Sequence, residues 1–114
     1  MTKYTLQEWH AEGKRRFGDD YKNWRFVCPA CGRINVGYEF NEAGAEPNDM
    51  YATCIGRHNG KGEKPLKGNE TPNGCDWAAF GLLKTLGKGN IVISDDGNET
   101  EVFAFEETEV VGNA

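Results

Sequence analysis

The string Phe26-Val27-Cys28-Pro29-Ala30-Cys31-Gly32 constrains this chain more than any other. A Cys-x2-Cys turn lets two sulfurs converge on one ion, and soft thiolate donors in a tetrahedron favour zinc or iron over hard cations. The glycine that follows adopts the positive φ of a tight turn without a Cβ clash. Only two other cysteines exist, Cys54 and Cys75, and neither has a second cysteine nearby. The natural closure is therefore a single four-thiolate site of Cys28, Cys31, Cys54 and Cys75, with Zn2+ as the expected ion and iron as its alternative. Long separations between the ligands cost little, because loop-closure entropy grows only logarithmically with length.

Other uses of these thiols are weaker. An even cysteine count also allows two disulfides, but a chain with no readable secretory signal is expected in a reducing compartment, where thiols stay available to metals. His58 stands four residues after Cys54 and competes as a ligand, although Gly56 interrupts a helix between them. A redox dithiol at Cys28-Pro29-Ala30-Cys31 would need a helix beginning at the motif, and would leave Cys54 and Cys75 without a role. Gly60-Lys61-Gly62 lacks the spacing of a phosphate-binding loop. An open catalytic zinc would need three protein ligands, a water position and a nearby base, and no such set stands out.

At 114 residues the chain is read as one zinc-stabilised domain, 1–114, with a core small enough to gain from a cross-link. No stretch is long and apolar enough to span a membrane, so the expected location is cytoplasmic, with no membrane partner. The net charge of -5 is uneven: residues 91–114 carry seven acids and no Lys or Arg, whereas eleven acids and thirteen bases leave +2 on residues 1–90. Residues 57–74 hold four glycines and two prolines and read as an exposed basic loop, and 107–114 as an acidic tail. Arg57, Lys61, Lys64 and Lys67, joined by Arg25 and Arg33 beside the knuckle, are the candidate contacts to a partner protein or to nucleic acid.

Thr5-Leu6-Gln7-Glu8 is a capping box, and Leu6, Trp9, Gly13 and Phe17 follow at helical spacing, predicting an amphipathic helix over about 6–17. Trp24, Phe26 and Cys28 alternate with Arg25 and Val27 as a short strand that delivers the first thiol. Asn35 is read as capping a short helix through Val36, Phe40 and Ala43, in preference to a strand with Val36, Tyr38 and Phe40 in alternation, and Pro47 starts another helix that carries Met50, Tyr51 and Cys54 to a stop at Gly56. The apolar run from Trp77 to Leu83 has a length that permits a buried strand or a helical turn, and Gly81, Gly87 and Gly89 favour a strand and turn. Ile91-Val92-Ile93-Ser94, the turn Asp95-Asp96-Gly97-Asn98, and Val102, Phe103 and Phe105 form a hairpin. The adjacent acids Asp95 and Asp96 make that turn rather than share a proton. The fold class is thus α+β, a small zinc-ribbon-like domain with an N-terminal helix, one or two short helices and a C-terminal antiparallel hairpin. The three tryptophans read as packing residues, with Trp24 beside Lys22 and Arg25 as the one cluster suited to stacking on a base.

The strings Trp24-Arg25-Phe26-Val27-Cys28-Pro29-Ala30-Cys31-Gly32, Cys54-Ile55-Gly56-Arg57 and Cys75-Asp76-Trp77-Ala78-Ala79-Phe80-Gly81-Leu82, with the terminal hairpin, resemble a small uncharacterised family of phage and prophage proteins. The resemblance covers nearly the whole chain. It implies that Cys28, Cys31, Cys54 and Cys75 are the shared thiols and that Arg57 and Trp77 lie in shared motifs, and it attaches no activity. The functional expectation is a non-catalytic accessory protein that docks on a host or phage protein. Nucleic-acid binding through the basic loop is the rival, and metal-dependent hydrolysis a third class.

Overall fold

A computed structural model describes residues 1–62 and 73–107. The described residues form six short strands, two α-helices and three short 3-10 segments. The strands form two three-stranded sheets. In the first, β1 (Lys3–Thr5) lies parallel to β4 (Asn90–Ile93), which pairs antiparallel with β5 (Glu99–Val102). In the second, β2 (Arg25–Val27) is central between β3 (Ile34–Val36) and β6 (Ala104–Phe105), both antiparallel to it. The fold is the expected α+β class.

Helix α1 covers Leu6–Phe17, as the capping box predicts. The Glu8 amide donates to Thr5 Oγ1 at 3.1 Å and the Thr5 amide to Glu8 Oε1 at 2.8 Å. The helix turns Trp9 and Gly13 inward. Gly13 is glycine for a packing reason: a Cβ there would overlap the ring of Trp24, whose indole Nε1 donates to the Gly18 carbonyl at 2.9 Å. Trp9 stacks on Phe26 and Phe105 and meets Trp24 edge-on. This aromatic group joins α1 to the second sheet.

Helix α2 (Gly37–Glu42) falls where the short helix is expected, but its cap is Val36, not Asn35. Glu39 Oε1 accepts from the Val36 amide at 2.8 Å, while Asn35 lies in β3 and is completely buried. The helix expected from Pro47 is shorter and tighter than its apolar spacing suggests, a 3-10 segment over Pro47–Tyr51. Both the amide and the hydroxyl of Thr53 donate to the Asp49 carbonyl, at 2.9 and 2.8 Å, and close the turn. Cys54 is then extended, and Gly56, expected as a helix stop, instead sits inside a second 3-10 turn, Ile55–Arg57.

Residues 77–83 do not form the expected buried strand. After one bridge between Thr53 and Ala78, the chain runs through successive turns, with Gly81, Lys84 and Leu86 amides bonding back to Ala78, Gly81 and Leu83. Among the described residues no strand lies alongside to complete a ladder, and the apolar side chains of Phe80, Leu82 and Leu83 face outward. The terminal hairpin forms around the Asp95–Asn98 turn, with Gly97 at φ 87° and Asp96 accepting from the Asn98 amide at 3.1 Å. A hydrogen bond from Ser94, then that amide bond, lowers the Asp96 pKa, consistent with a turn-forming role. Its returning strand divides: Val102 ends the first sheet, the Phe103 amide bonds to the Tyr51 carbonyl at 2.8 Å, and Phe105 pairs with Phe26 in the second. One continuous segment thus stitches the two sheets together. The basic loop and the acidic tail lie largely outside the described residues, at 63–72 and 108–114.

Candidate metal centre

Three separate stretches of backbone bring the cysteines together. At the knuckle, the Cys28 amide bonds to the Arg33 carbonyl at 3.0 Å and the Gly32 amide to the Cys28 carbonyl at 2.9 Å, with Gly32 at φ 77°. This closes a tight loop with Cys28 and Cys31 pointing to the same side. Cys54 arrives extended from the turn after Thr53, and Cys75 follows Gly74, at φ 83°. A Cβ on Gly74 would come within 2.6 Å of the Gly56 amide nitrogen, and one on Gly56 within 2.5 Å of the Cys75 carbonyl oxygen. Side chains at either position would hold the last two ligands apart.

The four sulfurs lie within 4.8 Å of one another, and all four cysteines are buried. Cys28 Sγ is 3.6 Å from Cys75 Sγ, and Cys31 Sγ is 3.8 Å from Cys54 Sγ. They are free thiols, not disulfides. A tetrahedral ion with metal–sulfur bonds of about 2.3 Å places its sulfurs about 3.8 Å apart, so the spacing fits such an ion. The cluster is thus capable of coordinating a metal.

Electrostatics favour a cation in the cluster. Hydrogen bonds from the Cys28 and Cys75 thiols, then from the Cys75 and Gly56 amides, hold the Cys54 thiol far below its ordinary range. The hydrogen bond with Cys54 pushes Cys28 up to about 12. Its bond with Cys28, then that with Cys54, pushes Cys75 upward as well. Four crowded sulfurs accommodate one negative charge at the expense of the others, and a dication reverses that balance by deprotonating its ligands.

A supporting shell was not legible in the sequence. The Cys75 amide donates to Cys54 Sγ at 3.2 Å, and Asn35 Nδ2 does so at 3.5 Å. Asn35 Oδ1 accepts from Arg33 at 2.7 Å, and Arg33 forms a two-pronged pair with Glu39 at 3.0 and 2.7 Å. Burial opposes ionisation of Glu39, but the Arg33 hydrogen bond, the Val36 amide and the Arg33 charge together outweigh it and lower the carboxyl's pKa. Glu39, Arg33 and Asn35 thereby orient a donor toward sulfur, a role that outer-shell partners of metal sites commonly fill. A polar residue in a strand facing a cysteine is the only sequence signal for Asn35.

His58 stands outside the cluster. Its Nε2 donates to Thr53 Oγ1 at 2.8 Å, since that hydroxyl spends its own proton on Asp49, and its ring meets Phe40 edge-on. The candidate contact residues are scattered. Arg25 pairs with Glu106 at 3.5 Å, Arg33 is half-buried beside Asn35, and Arg57 donates to the Asp76 carbonyl while lying over the Phe80 ring. Lys61 is exposed, and Lys64 and Lys67 fall outside the described residues. Trp9 and Trp24 are core residues, whereas Trp77 is half-buried and donates to the Lys84 carbonyl at 2.8 Å.

Fold and site together define a small α+β domain gathered around a buried cluster of four cysteines with metal-binding geometry. The profile of the VVA0879-like family matches residues 5–106, which run from the α1 cap past β6 and include every cysteine. The chain belongs to that family. Nothing among the curated proteins or the solved structures matches it.

Proposed function

We propose that the protein is a non-catalytic binding module held together by one structural Zn2+ on Cys28, Cys31, Cys54 and Cys75. The observation that carries this reading is the closed set of four buried sulfurs within 4.8 Å. Four thiolates complete a tetrahedron and leave no position for water, the arrangement of structural rather than hydrolytic zinc. The ion would supply a cross-link between three stretches of chain. Its binding free energy would be folding free energy. Asn35 and the Cys75 amide would stabilise the thiolate of Cys54.

The partner in this reading is a host or phage protein in the cytoplasm, with the module encoded by a phage or prophage. The motif strings support the phage setting, to which the family match adds no link. The test is affinity capture from infected and uninfected hosts, with wild type and Cys54→Ser as paired baits. One partner retained by the folded, zinc-loaded bait and lost by the variant is the expected result. Bound nucleic acid as the sole retained species would replace the reading with its rival.

That rival keeps one specific observation in its favour, the exposed Arg57 and Lys61 leading into a segment that contains Lys64 and Lys67. Arg25 and Arg33, already engaged with Glu106 and Glu39, do not add to it. A gel-shift titration against salt separates the two, because phosphate contacts give a steep salt dependence.

A further inference from the structure

The turn segment after Cys75 carries a surface that the metal centre does not explain. Leu82 is 97% exposed, Phe80 72%, Leu83 61% and Leu86 44%. An exposed apolar patch of this kind is often functional. Nor is the segment a loose coil. Trp77 Nε1 bonds across its base to the Lys84 carbonyl at 2.8 Å, and the buried Thr85 hydroxyl donates to Glu101 at 2.6 Å and accepts from the Gly89 amide at 3.2 Å. Lys84 and Leu86, flanking Thr85, sit at φ 49° and 56°, the left-handed region that residues with a Cβ rarely occupy. Such strain persists only where the surroundings enforce it, and it clusters at functional segments. Here the enforced backbone turns Thr85 inward and its neighbours outward.

The tip itself carries bases and no acid, the nearest acids being Asp76 at the start of the segment and Glu101, whose carboxylate is held by the Thr85 hydroxyl. Residues 77–90 contain Lys84 and Lys88 and no acid, and Arg57 lies over the Phe80 ring. Lys84 reaches Glu101 only at 3.9 Å, and Lys88 meets a carbonyl, that of Pro29, at 3.4 Å. A second copy of the chain docking tip to tip would set like charges against each other. The four side chains amount to fewer than three fully exposed ones, about 500 Å² of surface. A standard protein interface takes roughly 800 Å² from each partner. A few protruding apolar side chains with lysines beside them match what an anionic bilayer surface accepts: apolar groups enter the acyl boundary while cations remain among the headgroups.

We propose that residues 80–86 form a membrane-contacting tip, by which the domain attaches peripherally to anionic phospholipid through Leu82, Leu83 and Phe80, with Lys84 and Lys88 at the headgroups. This peripheral attachment departs from the expectation of no membrane partner, and it is separate from any crossing of the bilayer, for which no helix among the described residues is long and apolar enough. It also goes beyond the protein-docking reading and stands or falls apart from it.

The test is flotation of the zinc-loaded full chain with vesicles of phosphatidylcholine alone and of phosphatidylcholine with about 30% phosphatidylglycerol. Binding to the anionic vesicles only, weakened between about 0.1 and about 0.5 M salt, is the expected result. Leu82→Ser with Leu83→Ser should reduce it at least about tenfold, and Lys84→Gln should weaken it by less, with metal content and circular dichroism unchanged because these side chains are exposed. In a Leu82→Trp variant, brominated acyl chains should quench the new fluorescence. No flotation at low salt, or flotation that survives the double serine variant, overturns the proposal. So does sedimentation as a dimer that this variant abolishes, which would make the tip a contact between copies.

Discussion

Two halves of this molecule are held together by different physics. On one side α1, β2 and β6 meet through Trp9, Trp24, Phe26 and Phe105, four aromatic residues at 4% exposure or less. On the other side the knuckle, the Cys54 turn and the Cys75 turn meet through four sulfurs and through backbone approaches that only Gly56 and Gly74 allow. The first half gains stability from area removed from water, at about 25 cal/mol per Å². The second shares the buried core with Phe40 and Ile55, and in the proposed reading it also gains a metal cross-link.

Removing the metal should separate the halves most sharply. Structural zinc contributes on the order of 10 kcal/mol to small domains, comparable to their whole stability. A strong chelator should therefore free the amides of residues 28–35, 54–57 and 75–79 to exchange with solvent well before those of α1 and β2. Exchange that is uniform along the chain would erase the distinction. Next in size is Gly13→Ala. Helix propensity alone predicts a gain of about 1 kcal/mol, but the overlap with Trp24 predicts a net loss of about 2 kcal/mol. Thermal unfolding gives the sign, and zinc content should not change.

Asn35→Ala tests the boundary between the halves. It removes the amide donor to Cys54 and the acceptor for Arg33, and should weaken metal affinity about 10- to 100-fold in a chelator competition. Unaltered affinity would reduce Asn35 to a packing role. Thr5→Ala should cost about 1 kcal/mol in urea unfolding by deleting the α1 cap. The smallest effect concerns Glu12, whose pKa is lowered from 4.5 to about 2, chiefly by its hydrogen bond from Arg15. A carboxyl with a depressed folded-state pKa stabilises above its unfolded value, and that contribution fades as pH falls from 4.5 toward about 2. Solvent around Arg15 limits it to about 1 kcal/mol or less. Glu12→Gln should flatten the stability profile in that acid window, and an unchanged profile would remove this contribution.

The parts of the fold with local signatures were legible in the sequence. The capping box at Thr5, the Asp-Gly turn near Gly97 and the knuckle with its glycine each act within a few residues, and each forms as expected. The signals that misled were apolar runs whose partners lie far away. Residues 77–83 have the hydrophobicity of a buried strand, but no strand among the described residues offers a ladder, so the run becomes an exposed set of turns. Pro47 opens a helix that Thr53 closes early by bonding Asp49, because Cys54 must be extended to reach the cluster. The pairing of β1 with β4 joins residues nearly ninety positions apart, and nothing in either segment names the other. Asn35 was hidden for the same reason, since its partner Cys54 arrives from another turn.

X-ray absorption at the zinc edge of the purified, reduced protein, with metal per chain counted in the same sample, tests the central claim most directly. The account predicts one zinc per chain with four sulfur neighbours at about 2.3 Å and no oxygen. A shell with a nitrogen or oxygen ligand, or a folded chain that holds no metal, would contradict it.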